Sequence, residues 1–285
     1  MDIHSLLARL PIKRFREPPP VVAVLRLAGV IGSLGPLRGG LTLAGLAPQL
    51  EKAFKLPRLQ AVALAVNSPG GSPVQSALIS QRIRDLAEEK KIPVIAFTED
   101  VAASGGYWLA CAADEIYANE NSIVGSIGVI SAGFGFPELL KRFGVERRVH
   151  TAGERKAMLD PFREENPKDV ARLKALHKDI HDSFKAQVRE RRGERLKGSE
   201  KTLFNGEVWT GRQALDLGLV DGFGELRHVL RQRYGDKLQL KTVESAKPWW
   251  RRRLTVGTVL PAPEDWAAGL IAAAEERALW SRYGL

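Results

Sequence analysis

The chain has 285 residues, 44% of them hydrophobic and 27% charged, fractions typical of a soluble globular protein long enough to bury a core. Cys111 is the only cysteine, which excludes a disulfide framework and a cysteine cluster for zinc. The net charge of +10 suits nucleic acid, anionic membrane or an acidic partner, and composition does not choose among them. Because no zinc-finger spacing or RNA-recognition motif is visible, we expect no nucleic-acid partner.

The N-terminal residues 1–20 are expected to form a basic arm. Their only apolar run, Leu6–Leu10, is short and interrupted by Arg9, which does not fit the core of a signal peptide. No apolar run in the chain is long enough to span a bilayer. We therefore expect a cytoplasmic protein, or one attached to the inner face of the cell membrane.

Strands and helices are predicted to alternate along the chain. The Ala61–Val66 run is continuously apolar, as expected of a parallel strand covered on both faces. Further strands are predicted at 21–27, 94–97, 115–118 and 145–150, and helices at 46–54, 73–90, 167–192 and 264–283. This alternation predicts an α/β core with a mostly parallel sheet.

Several helix boundaries have clear signals. Ser72 with Gln75, and Thr210 with Gln213, have the spacing of a capping box. The helix from Pro73 is predicted to turn Leu78, Ile79, Ile83 and Leu86 inward, and the one from Pro167 to turn Val170, Leu173, His177, Ile180, Phe184 and Val188 inward. His177 and His181 are four residues apart, but no third ligand accompanies them, so we predict no metal site.

Ser104 is a candidate nucleophile because it lies at a predicted strand-to-helix corner among small residues. Backbone amides at such a corner can stabilise the oxyanion that forms when a serine attacks a carbonyl. Gly70 and Gly71 follow another buried strand, so their amides could also face a substrate carbonyl; a tight turn that needs glycine explains them equally well.

A nucleophilic serine needs a base, and no histidine lies between Ser104 and His150. A lysine can act as the base where its surroundings lower its pKa from about 10.4. Lys156 is the candidate, because it follows a predicted strand and stands among small and apolar residues. From the residues alone, Lys156 is one of many lysines, and a surface role is the default expectation.

Over residues 21–240 the chain resembles the signal peptide peptidase A family of serine–lysine peptidases, which share a fold group with Clp protease subunits and crotonases. The resemblance lies in Asn67–Gly71, Ala103–Tyr107, Gly125–Val129, Gly153–Lys156, Val208–Ala214 and Gly218–Asp221. It implies a Clp protease/crotonase-like core of mostly parallel sheet with surrounding helices, residues 21–240 as the peptidase domain, and residues 241–285 as a linker and C-terminal helix for oligomerisation.

The resemblance also implies a role for each site residue. Ser104 would be the nucleophile, Lys156 the general base, and Ser126 the hydrogen-bonding partner of that lysine. Gly105 and Gly71 would supply the oxyanion amides, with Gly70 as the substitute for Gly71. The implied activity is ATP-independent cleavage of peptides through an acyl-enzyme and without a cofactor. Signal-peptide remnants and cytoplasmic peptides or unfolded segments are both open as its substrates.

Family members assemble as rings or domes, with serine and lysine brought together across a subunit boundary. The resemblance therefore implies a homo-oligomer. A weak contact with anionic membrane is a further hypothesis, because a cluster of aromatic and basic residues suits the membrane interface: Trp249, Trp250, Arg251, Arg252 and Arg253.

Two other functions remain open from the sequence. A crotonase-type acyl-CoA enzyme could use the same glycine amides for a thioester oxyanion, although a serine–lysine pair argues against it. A non-catalytic oligomeric scaffold at the membrane surface would not need Ser104 at all.

Overall fold

The computed structural model describes residues 19–33, 39–153, 155–244, 269, 273, 274 and 276–285. The strands are β1 (Val21–Ala28), β2 (Leu59–Ser68), β3 (Val94–Ala103), β4 (Glu115–Ala118), β5 (Ile123–Gly125), β6 (Val208–Thr210), β7 (Gly222–Phe223) and β8 (Gln239–Thr242). The helices are α1 (Leu43–Phe54), α2 (Pro73–Lys90), α3 (Gly105–Ala110), α4 (Pro137–Arg142), α5 (Pro167–Arg192), α6 (Glu200–Leu203), α7 (Gly211–Asp216) and α8 (Leu226–Tyr234).

One sheet organises the described residues. Its strand order is β6-β5-β3-β2-β1-β8, with β4 paired to β3 and β7 paired to β4. All of these pairs are parallel except β5 with β6. The predicted α/β core with a mostly parallel sheet and surrounding helices is confirmed. Its assignment to the Clp protease/crotonase fold group stays a prediction.

The core forms on both faces of the sheet because β1, β2 and β3 are apolar along most of their length. One cluster packs the sheet against α1, α2 and α3, and a smaller one packs the other face against α8. Asn166 caps α5, and Thr210 with Gln213 forms both halves of the predicted capping box at α7.

Four local predictions need correction. Residues 145–150 form no strand, because this exposed stretch pairs with no described strand. Leu78 is exposed instead of turned inward. Ser72 accepts from the Gln75 amide, but the Gln75 side chain accepts from the backbone of Leu43, so only half of the first capping box forms. Helix α1 begins at Leu43, three residues before the predicted start at residue 46, because Thr42 is its N-cap.

Residues 129–166, which we call the exposed arm, stand outside the core. No described residue of the arm is buried, although several of its residues are large and apolar. Phe134 is 83% exposed, Phe143 71% and Ile130 68%. Within the arm, Phe136 lies between the rings of Phe134 and Phe162, and Arg147 covers Phe162. Exposed apolar surface of this kind is typical of a contact with another protein.

The end of α5 is anchored by a buried ion pair. The Arg192 side chain is 1% exposed and its two terminal nitrogens donate to Asp221, at 2.7 and 2.9 Å. Asp221 also accepts from the backbone amide of Ile116 in β4, and Arg192 donates to the carbonyl of Gly218. This pair fastens helix α5 to the edge of the sheet.

Some predictions lie outside the described residues. The basic arm is described only at residues 19 and 20, and the membrane-contact residues Trp249, Trp250, Arg251, Arg252 and Arg253 are not described. Of the predicted helix 264–283, residues 269, 273, 274 and 276–281 are helical, and 282–284 form a turn. None of the helices in the described ranges combines the length and apolar character needed to cross a bilayer.

Candidate active site

Ser104 occupies the corner between β3 and α3, as predicted. Its backbone has φ +52° and ψ −123°, a conformation that glycine adopts readily and other residues rarely do. Two backbone hydrogen bonds hold it: Ser104 donates to the Gly125 carbonyl at 2.8 Å and accepts from Trp108 at 3.0 Å. The surrounding structure therefore keeps this half-buried serine in a strained conformation.

The Gly70–Gly71 loop lies directly against this corner. A Cβ atom on Gly70 would lie 2.7 Å from Ser104 Cβ and 3.0 Å from the Gly105 nitrogen, so only glycine fits. Ile31 fixes the loop by donating to the Gly70 carbonyl and accepting from Ser72, both at 2.8 Å.

The amides of Gly71 and Gly105 lie close together. A Cβ atom on Gly105 would be 3.4 Å from the Gly71 nitrogen. Within the described residues, neither amide donates to a protein acceptor. Backbone amides without a protein acceptor, beside a serine, are the type of donor that an oxyanion hole uses.

Ser126 is the second serine of the site. It directly follows β5, and its φ of +52° is again in the region that glycine favours. Its amide donates to the Glu207 carbonyl at 2.6 Å, which ties it to the residues before β6. Ser104, Ser126 and Gly71 line one cleft with a volume of about 690 Å³.

A narrow pocket opens beside Ser104. Its volume is about 10 Å³, which is room for one water-sized group. Its walls are mostly apolar: Pro73, Trp108, Val129, Ile180 and Phe184, with Gly71, Gly105 and Gly128. The Trp108 and Phe184 rings are stacked with centroids 4.6 Å apart, which fixes one wall.

The side chains behind Ser104 support helix α3 and are not reactive. The hydroxyl of Tyr107 donates to the Leu219 carbonyl at 2.7 Å. Cys111 is buried, and burial raises the pKa of its thiol to about 11, so the thiol is protonated at neutral pH.

Lys156 is not part of the cleft in this chain. Its side chain is exposed in the arm, its amide donates to the Gly153 carbonyl at 3.1 Å, and it is not one of the residues that line the cleft. The structure therefore brings Ser104, Ser126, Gly71 and Gly105 together and leaves Lys156 outside. The role of each of these residues stays a prediction.

Several cleft residues were not predicted. His181, Asn205, Leu279, Arg282 and Tyr283 also line the cleft. His181 Nε2 lies 3.1 Å from the Ile127 carbonyl and donates to it. The inward face predicted for α5 contains His177, four residues before His181, so helical periodicity alone could have placed His181 near the core. His177, the other histidine of the pair considered for a metal, has its Nε2 atom 2.6 Å from the Ser131 hydroxyl.

The model of peptidase family S49 matches residues 87–239, more than half of the chain. The chain belongs to peptidase family S49. The matched residues include Ser104, Ser126 and Lys156, and Gly70 and Gly71 lie before them. The resemblance seen in the sequence is confirmed at the level of the family.

Two of the similar proteins have names that agree with this family. The chain is 35% identical over 222 residues to Putative protease slr0021 of Synechocystis, covering 75% of this chain and 79% of that protein. It is 31% identical to Protease 4 of Haemophilus influenzae, covering 81% of this chain and 37% of that protein. It is also 52% identical to the Na(+)/H(+) antiporter NhaA of Brucella abortus, over 99% of this chain and 39% of that protein. The chain thus spans about two fifths of the length of that Brucella relative.

Among solved structures, a mutant of the 1510-N membrane-bound stomatin-specific protease is similar with a TM-score of 0.49. It is 16% identical and covers 80% of this chain and 99% of that chain.

Proposed function

We propose that this chain is an ATP-independent serine endopeptidase whose nucleophile is Ser104. The observation that carries the proposal is the strained corner at Ser104 with the amides of Gly71 and Gly105 beside it. Glycine would adopt φ +52° and ψ −123° without strain, whereas a nucleophile needs its side chain there. Membership of a peptidase family and a protease-named relative matched over most of its length support the same activity.

The reaction proceeds in two steps. The Ser104 oxygen attacks the carbonyl carbon of the scissile peptide bond while its proton moves to the base, Lys156. The amides of Gly71 and Gly105 donate to the oxyanion. The C–N bond then breaks, the leaving nitrogen takes the proton from the lysine, and the acyl group stays on Ser104 as an ester. A water molecule hydrolyses this ester and restores the serine.

Lys156 reaches the site from a neighbouring subunit in this proposal. The lysine lies in the exposed arm, which has no buried residue among those described and presents large apolar side chains to solvent. Burying those side chains against a second copy would be favourable, and would bring a lysine of one subunit near the serine of another. Ser126 lies in the same cleft as Ser104, where it could hydrogen-bond the incoming lysine. A ring or dome of subunits would repeat this contact.

The narrow apolar pocket supports a preference for a small side chain next to the scissile bond. A volume of about 10 Å³ accommodates the methyl group of alanine and little more. Signal-peptide remnants, which are rich in small and apolar residues, are one substrate class of this kind, and unfolded segments are another.

The test is labelling of the assembled protein with a fluorophosphonate probe, which reacts with activated serines. The natural chain should be labelled, and Ser104→Ala should not. Lys156→Ala should lower the labelling rate by at least a hundredfold, because the serine loses its base. Hydrolysis of an alanine-rich fluorogenic peptide should likewise be seen with the natural chain, be lost in Ser104→Ala and be strongly reduced in Lys156→Ala.

A matched control is Lys168→Ala, which removes an exposed lysine from the first turn of α5. It should leave labelling unchanged. Absence of labelling in the natural chain, together with hydrolysis of an acyl-CoA thioester, would refute the peptidase and favour the crotonase-type alternative. Labelling that persists in Ser104→Ala would refute Ser104 as the nucleophile.

A further inference from the structure

The last residues of the chain form one wall of the catalytic cleft. Leu279, Arg282 and Tyr283 line it together with Ser104 and Ser126. Leu279 lies in the last turn of the helical segment, and Arg282 and Tyr283 follow in the turn after it. After the helix ends at Ser281, the amides of Tyr283 and Leu285 donate to the Trp280 carbonyl, which keeps the chain wound at this wall.

Arg282 is the one arginine or lysine among the residues that line the cleft. The residues that line it include Arg282 and His181 and no aspartate or glutamate. His181 is engaged with the Ile127 carbonyl, and Asn205 donates to Glu207 at 2.7 Å. Among the described residues, Arg282 has no ion pair. A free cation therefore faces a cleft that offers it no carboxylate.

This arrangement suits a carboxylate of the ligand. A guanidinium carries five donors and no acceptor, and binds a carboxylate through two parallel hydrogen bonds. The narrow pocket beside Ser104 is mostly apolar and has no charged residue in its lining, so it does not compete for this group. The cleft thus combines an apolar pocket at the nucleophile with a cationic wall from the C-terminal residues.

We propose that Arg282 is a specificity-determining residue that binds a carboxylate of the peptide substrate. The proposal rests on the proposed peptidase function, because it treats the cleft at Ser104 as the peptide-binding site. The carboxylate has two possible sources: an acidic side chain within the peptide, or the free C-terminus of the peptide. Both present the same chemistry to Arg282, and the experiment separates them.

Binding is measured in a Ser104→Ala background, so that no peptide is cleaved. Four fluorescent peptides of equal length share an alanine-rich segment and carry either glutamate or glutamine inside, with a free or an amidated C-terminus. Fluorescence anisotropy gives the affinity of each. The peptide with the recognised carboxylate should bind about five- to tenfold more tightly than the neutral one, an advantage that falls as salt increases.

Two further variants in this background identify the cation. Arg282→Gln should remove the advantage, and Arg282→Lys should keep part of it because the charge remains. Arg277→Gln is the matched control: it removes the same charge from the helical segment just before Arg282, at an exposed position that does not line the cleft. It should leave the advantage unchanged.

The binding experiment tests the role of Arg282 independently of the proposed peptidase activity. Equal affinity for all four peptides, no binding of any of them, or an advantage that survives Arg282→Gln would overturn the inference. Cleavage is tested separately in the chain that retains Ser104. If that chain shows no Ser104-dependent hydrolysis but the Arg282-dependent binding persists, the peptidase is refuted and the carboxylate site stands.

Discussion

The strain at Ser104 predicts that this proposed nucleophile lowers the stability of the fold. Its φ of +52° and ψ of −123° favour glycine, and holding another residue in such a conformation costs about 1–3 kcal/mol. Glycine at this position would relieve the strain but would lose more backbone freedom on folding, about 0.5–1 kcal/mol. Ser104→Gly should therefore raise the free energy of unfolding by about 1 kcal/mol while abolishing activity.

The reference for this measurement is Ser104→Ala. Alanine keeps the Cβ atom and the strain but lacks the hydroxyl, so the comparison of two inactive variants isolates the backbone contribution. Urea unfolding followed by circular dichroism gives the free energies, and the gain should raise the melting temperature by about 2–4 °C. Lys91→Gly is a positive control, because Lys91 ends α2 in the left-handed conformation, at φ +53° and ψ +42°, where glycine is favoured.

One result would refute the reasoning. If Ser104→Gly is no more stable than Ser104→Ala while Lys91→Gly is stabilised, then the backbone at Ser104 is not strained. The corner would then be an ordinary turn, and its conformation would no longer argue for a nucleophile.

Three further predictions concern the corner, the base and the anchor of α5. Gly70→Ala places a Cβ atom 2.7 Å from Ser104 Cβ at a φ of +105°, so it should cost about 2–4 kcal/mol in urea unfolding and abolish probe labelling. Lys156→Arg should abolish peptide hydrolysis, because a guanidinium cannot accept the serine proton; near-normal rates would refute the base. Asp221→Asn leaves the buried Arg192 without its anion and should cost about 3–5 kcal/mol at pH 7. Burial raises the pKa of Asp221, but hydrogen bonds from Arg192 and the Ile116 amide outweigh it, so the pKa is lowered. The stability from this carboxylate is therefore present above about pH 4 and lost as the pH falls further; urea unfolding from pH 2.5 to 7 should show the variant and the natural chain converging in acid.

The sheet could be predicted from the sequence because its inner strands are almost uniformly apolar. Strand β3 is the instructive case: the apolar run predicts 94–97, whereas the strand continues to Ala103 through the polar residues Thr98, Glu99 and Asp100. Its second half pairs with β5, twenty residues later, and Asn67 accepts from the Val101 amide. Such distant partners extend a strand without leaving a local pattern.

At residues 145–150 the outcome is the opposite: a strand is predicted, and none forms. The run begins with Val145, continues through charged residues and is mostly exposed in the arm, where no described strand pairs with it. A strand is stable only where a neighbouring strand pairs with its backbone N–H and C=O groups. The sequence of residues 145–150 alone does not show whether such a strand lies beside them. The same limit applies to the cleft: Ser104 and the glycines are read from short motifs, whereas Arg282 reaches the cleft only through the tertiary fold.

The two halves of the proposed chemistry differ in what holds them in place. Ser104 and the glycine amides sit on buried strand ends, whereas the exposed arm, with Lys156, has no core of its own among the described residues. In the proposed homo-oligomer, a contact between its exposed apolar side chains and a second copy sets its position. Phe143→Asp tests this, because Phe143 is 71% exposed in the single chain and its substitution should change the free energy of unfolding by less than about 0.5 kcal/mol. Sedimentation should show smaller assemblies, and probe labelling of Ser104 should fall in parallel. Unchanged assembly with full labelling would mean that the arm serves neither the contact nor the base.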